Sequence, residues 1–133
     1  MRNLLLITVP LGLLAACSDK NEAAEEKLEK TAETSATVAG PVPAALGLSE
    51  AQLLDADLVG ANGKELGEVA QVLRDSDQKV DRLLVELEGA GDRYVHVPIL
   101  GLKPVVKGSD TDLQTTMTKA RLDALPEVKL AAP

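Results

Sequence analysis

Between Leu58 and Pro98 short apolar runs alternate with turn-forming clusters, and this pattern restricts the fold more than any other feature of the chain. Leu58-Val59-Gly60 leads into Ala61-Asn62-Gly63, where Asn and Gly accept the positive φ of a tight turn. Glu65 to Arg74 reads as a strand, Asp75-Ser76-Asp77-Gln78 as the next turn, and Val80 to Glu88 as a second strand. In that second strand Leu83, Val85 and Leu87 fall on one face, and Arg82, Glu86 and Glu88 on the other. Gly89-Ala90-Gly91-Asp92 turns the chain into Arg93 to Val97, with Val95 and Val97 inward and Tyr94 and His96 outward. Pro98 has no amide proton to donate and ends the pairing. Leu66 and Val69 lie three apart, which breaks simple alternation; a bulge at Gly67 is expected to return both to one face.

The flanking residues extend the same plan. Ser49-Glu50-Ala51-Gln52 reads as a brief capped turn leading into a first strand over Leu53 to Gly60. Leu102 to Lys107 and Asp112 to Met117 read as two further short strands, and Thr118 as the N-cap of a helix over Lys119 to Leu125, closed by Pro126. Leu122 and Leu125 form its apolar edge and are expected to plug one end of a barrel. Strands at intervals of roughly ten residues with Gly-rich turns predict a mainly β fold, a small antiparallel barrel over residues 49–133. Its core must be aliphatic, because the chain has no Trp, no Phe and a single Tyr. The same shortage removes the stacking platforms of single-stranded nucleic-acid sites. A net charge of −7 opposes a phosphate backbone. Nucleic acid is not an expected partner.

The amino-terminal segment carries a different signal. Arg2 precedes an apolar run from Leu4 to Leu14, interrupted by Pro10 and Gly12. The run is too short for a spanning helix of about 20 apolar residues but fits the apolar region of a signal peptide over residues 1–16. It ends in Leu14-Ala15-Ala16-Cys17, which resembles the lipobox of bacterial lipoproteins. The resemblance implies that Cys17 takes a diacylglyceryl group as a thioether and becomes the acylated mature N-terminus, so that the membrane is a partner through the lipid. The thiolate is the nucleophile such chemistry needs, and with one Cys in the chain an internal disulfide is impossible. Each buried methylene contributes about 0.8 kcal/mol, so more than one acyl chain gives stable anchoring. Ser18 follows the cysteine and Asp19 lies one place further on. By the sorting rule of lipoproteins in double-membrane bacteria, this favours the outer membrane, facing the periplasm, over inner-membrane retention. Residues 17–48 are rich in Glu, Lys, Ala, Thr and Ser and predict a flexible acidic linker. Leu28 is the one large apolar residue between Glu22 and Lys30, which leaves a helix there no apolar stripe to bury. As a coil of roughly 30 residues the linker spans about 30 Å; fully extended it reaches about 100 Å.

Taken together, Gly60, Gly63-Lys64-Glu65-Leu66-Gly67-Glu68-Val69, Asp75, Asp77, Val80, Leu83 to Leu87 and Val95-His96-Val97-Pro98 resemble the PRC-barrel, named for the H subunit of the photosynthetic reaction centre. The short Leu-rich ending from Thr118 to Pro126 is similar as well. These motifs are glycines and apolar positions, which carry a fold and no catalytic signature. The resemblance implies a protein-interaction or assembly module, although fold alone does not transmit function.

Side chains with chemical potential are few. His96 is the sole histidine, so one chain assembles neither a His-based zinc site nor a triad. Asp75, Asp77, Asp81 and Glu86 approach the spacing of a calcium loop, but Lys79 stands at a ligand position and Val80 where that loop requires glycine. A hairpin turn is the better reading, and no metal or cofactor is expected. Ser49, Ser76 and Ser109 lie in turns without a nearby base, and Gly60-x-x-Gly63 opens no helix that would cradle a phosphate. No enzymatic activity is expected. The candidate site is instead the polar strand face carrying Arg82, Glu86, Tyr94 and His96, as the contact surface for a protein partner in the cell envelope. The alternative is an accessory subunit of a membrane electron-transfer or proton-handling complex. For the anchor the expected outcome is direct: Cys17→Ala moves the protein out of the membrane fraction on detergent-free fractionation, and retention there would mean that something other than lipid holds it.

Overall fold

The computed structural model describes residues 20–89 and 91–130. The lipobox Leu14-Ala15-Ala16-Cys17 therefore lies outside the described residues. In chain order the elements are α1 (Lys20–Ala39), β1 (Pro43–Ala45), β2 (Leu48–Ser49), α2 (Glu50–Leu54), β3 (Asp57–Val59), β4 (Glu65–Arg74), β5 (Val80–Leu87), β6 (Arg93–Pro98), β7 (Lys103–Lys107), β8 (Asp110–Gln114), α3 (Lys119–Asp123) and β9 (Glu127–Val128). The fold is mainly β. One sheet of seven strands has the order β7-β8-β3-β4-β5-β6-β9, and β1 with β2 forms a separate two-stranded sheet.

Two features depart from a closed, wholly antiparallel barrel. The sheet has two edges: β7, whose residues are all exposed, and the two-residue β9. One ladder is parallel, with Leu58 of β3 opposite Leu113 of β8. The parallel ladder follows from the β7–β8 hairpin, which brings the chain back to the free side of β3. A single aliphatic core still takes residues from both halves of the sheet. Leu58, Leu83, Val85, Val95 and Leu113 are fully buried in it, and Leu53 of α2 and Leu122 of α3 pack against them.

Local sequence explains most of these elements. Ser49 caps α2 through a capping box: its Oγ accepts from Gln52 N–H at 3.2 Å, and the Gln52 Oε1 accepts from Ser49 N–H at 2.9 Å. That cap places Leu53 on a helix, so the expected strand over Leu53 to Gly60 shortens to β3. Thr118 caps α3 by accepting from Arg121 N–H at 3.2 Å. In the β4–β5 turn Asp75 Oδ1 accepts from Asp77 N–H at 2.8 Å and Lys79 N–H at 3.0 Å.

The bulge expected at Gly67 sits one residue earlier. On the β3 side the register steps from Leu58↔Gly67 to Val59↔Glu65, which makes Leu66 the extra residue. Gly67 stays paired with Leu87 on its other side. Its role is close approach, since a Cβ there would stand 2.5 Å from Glu86 O and 2.8 Å from Val85 Cγ1. A second shift, between Val69 and Gln71, brings Val72 back to the core face.

The largest correction concerns residues 17–48. Its described part is no coil: Lys20–Ala39 is a 20-residue helix, and the hairpin β1–β2 follows it. The helix packs against β4 and α2. Ala24, Ala32 and Ala36 are buried, and half-buried Leu28 completes a stripe at every fourth residue. Alanine methyl groups let the helix axis come close to the sheet, and the sheet supplies the larger side chains. A helix can thus dock without large apolar residues of its own.

The close approach at Gly67 gives a stability prediction. Gly67→Ala is expected to lower the free energy of unfolding by about 1–3 kcal/mol in urea titrations, the range for overpacking. An unchanged midpoint would show that β4 and β5 do not approach this closely.

Candidate functional site

The antiparallel register of β5 with β6 assembles the candidate face. Glu86 lies opposite Tyr94, Leu84 opposite His96, and Arg82 opposite Pro98. Arg82, Leu84, Glu86, Tyr94 and His96 therefore share the side of the sheet away from the core, as the period of two requires. The face is not open. Tyr94 is 5% exposed and Leu84 3%, although neither belongs to the core cluster on the other side of the strands. On that side α1 packs against β4, and its Ala24 and Leu28 line a groove with Leu84 while Glu25 and Leu28 line another with Tyr94. Tyr94, expected outward and free, is outward and buried. Arg82 is half-buried, its NH1 donating to both carboxylate oxygens of Asp81 at 3.0 and 2.8 Å, and His96 remains exposed. Burial, followed by the Arg82 charge, lowers the His96 pKa below its ordinary value.

The two ends of α1 meet the sheet differently. Toward its C-terminus Ser35 Oγ donates to Glu50 Oε1 at 2.6 Å, while Arg74 donates to Glu50 Oε2 at 2.8 Å. Glu50 is 1% exposed, so the Arg74 guanidinium compensates a carboxylate removed from water. Toward the N-terminus Glu25 faces other acids. Burial first, then the Asp92 carboxylate and that of Glu22, raise its pKa. One of its oxygens, Oε1, is buried without a hydrogen-bond partner among the described residues. Glu86 is raised by burial and then by Asp92, Glu25 and Glu68. The Tyr94 hydroxyl is pushed up by burial and by the Glu86 and Glu25 carboxylates. Two grooves flank the helix. One, of about 370 Å³, runs past Glu25, Glu29, Glu68, Glu86 and Tyr94. The other, of about 300 Å³, runs past Leu28, Leu73, Arg82, Leu84 and His96.

A second acidic group lies on β3 and β4. Carboxylate oxygens of Asp57, Glu65 and Glu68 approach within 4.8 Å of one another. The pKa of Asp57 is raised by burial and then by Asp112, and that of Glu65 by the Asp57 charge and then by burial. Register creates this cluster, since Asp57 pairs with Glu68 and Val59 with Glu65. Linear spacing does not reveal it. The acidic spacing visible in the sequence is used otherwise, with Asp75 binding the amides of its own turn and Asp81 binding Arg82.

No protein-family model matches the chain, and no curated protein matches it.

The like charges under α1 set a pH dependence. Glu25 and Glu86 have an ordinary value of 4.5 and are raised in the folded state. The docked form therefore binds more protons than the released form, and docking weakens as pH rises. The stabilisation is full below about pH 4.5 and is lost as pH climbs through the raised values. Hydrogen exchange of the α1 amides, corrected for intrinsic rates, is expected to show greater protection at pH 4.5 than at pH 7. Glu25→Gln is expected to raise protection at pH 7 and flatten the difference. Equal protection at both pH values in the wild type would remove the carboxylate repulsion.

Proposed function

We propose that the protein is a membrane-anchored periplasmic lipoprotein whose PRC-type barrel serves as a protein-interaction or assembly module in the cell envelope. The observation that supports this reading is the face formed by Arg82, Leu84, Glu86, Tyr94 and His96, a polar-rimmed apolar strip that already holds a helix. Helix-in-groove docking is a common mode of protein recognition, with apolar anchors supplying contact and charged rims supplying selectivity. Arg82 and His96 lie at the edge of the covered strip, and the side chain of each reaches solvent. Anchoring rests on Cys17, and the outer-membrane location on Ser18 beside it.

The contact surface is tested by capture from detergent extracts, comparing the full-length wild type with an Arg82→Glu, His96→Glu double variant. Both side chains lie outside the core cluster, so the variant is expected to fold. It is expected to lose most of the captured partner at equal bait levels. An identical partner list, in kind and amount, would exclude this face.

A further inference from the structure

The face and its resident helix match in shape and mismatch in charge. The stripe of Ala24, Leu28, Ala32 and Ala36 lets α1 lie close against β4, beside Leu84 and Tyr94. At the N-terminal end, however, α1 sets Glu25 against Asp92 and Glu86, with Glu22 on the same helix and Glu68 on β4 adding negative charge. Among the described residues, the groups that act on Glu25, namely Asp92, Glu22 and Tyr94, include no cation, and Glu25 Oε1 lacks a hydrogen-bond partner. At the other end the attachment to Glu50 is complementary, but it runs through the single Ser35 hydroxyl. Gly40, with a positive φ of 70°, closes the helix as its C-cap by donating its N–H to Ala36 O at 3.0 Å, and Pro41 next keeps the helix from continuing. Most helical stability in proteins comes from tertiary packing, so release from the sheet would also remove much of what keeps this 20-residue segment helical.

We propose that α1 is a displaceable occupant of this face, and that the partner segment that replaces it is a helix with small residues along its seam and a lysine or arginine where α1 places Glu25. The inference rests on the interaction-face reading and adds the chemistry of the partner and its control by the chain's own helix. A cation at that position satisfies Glu25's present neighbours Asp92 and Glu86 together, while the stripe of small side chains preserves the close approach. The resident helix then acts as a weak competitor that keeps Leu84 and Tyr94 from water until the better-matched helix arrives.

Two labelled peptides with the sequence of residues 20–39, one wild type and one carrying Glu25→Lys, are titrated by fluorescence anisotropy into the full-length protein in detergent micelles. The protein is used as wild type and as two variants that unseat α1 while leaving the sheet intact. Ala32→Glu puts a charge into the buried seam, and Thr31→Pro breaks the helix from its exposed side. The Glu25→Lys peptide is expected to bind both variants about tenfold more tightly than the wild-type peptide does. It is expected to bind the wild-type protein more weakly than either variant. Equal affinities of the two peptides, no binding to the variants, or wild-type protein binding as tightly as the variants would overturn the proposal. Loss of amide protection in β5 and β6 in both variants would also overturn it, because α1 would then be part of the folding core. Failure of the interaction-face reading registers separately, as unchanged capture by the Arg82→Glu, His96→Glu protein.

Discussion

A carboxylate with almost no access to solvent ties the amino-terminal helix to the rest of the molecule. Glu50 stands at the junction of α1, α2 and β4, and each of its oxygens has one donor, Ser35 Oγ at 2.6 Å and the Arg74 guanidinium at 2.8 Å. Removing one partner of such a pair leaves an uncompensated buried charge, which costs about 3–5 kcal/mol. Arg74 is held in turn by donating to the Gln78 carbonyl at 3.1 Å, so the β4–β5 turn takes part in the same constraint. The capping box that starts α2 fixes where Glu50 points. Helix, turn and strand thus share one polar centre beside an otherwise aliphatic interior.

Away from that centre the packing of α1 becomes less consistent. Its middle rests on alanine methyl groups over Leu84 and Tyr94, and its first turns place carboxylates together. A sequence optimised only for stability would put a cation or an amide at position 25. Local conflict of this kind is what functional surfaces tend to retain against the demands of folding. Were α1 displaced as proposed, the end with repelled charges would open before the end held by Glu50. Such a displacement would be a local event, because the core around Leu58, Leu83 and Val95 contains no residue of α1.

The strands were legible because alternation and turn chemistry act locally. Glu65 to Arg74 is β4 as read, and the turn at Asp75 closes through its own side chain. The cap at Ser49 is legible too, but Leu53 and Leu54 fit an apolar strand as well as a helix, and only the capping box places them on α2. The amino-terminal helix escaped notice because the expectation asked for large apolar residues on the helix itself. The usable signal was Ala24, Leu28, Ala32 and Ala36 at a spacing of four, a seam whose partner lies on strands far away in sequence. For the same reason alternation put Tyr94 on the correct side of the sheet without revealing what covers it. The Asp57, Glu65 and Glu68 group depends on cross-strand register, which a bulge at Leu66 alters by one residue.

Where α1 begins matters as much as what it covers. Ser18 and Asp19 are all the sequence that separates Cys17 from the first helical residue, Lys20. With the acyl chains on Cys17 as proposed, a seated helix would keep the sheet domain close to the lipid headgroups. Unseating the helix pays out the whole length up to the β1–β2 hairpin and lets the same body stand off from the bilayer. On that proposal the protein would have two working heights, and the exchange of one helix for another on a single sheet face would decide between them.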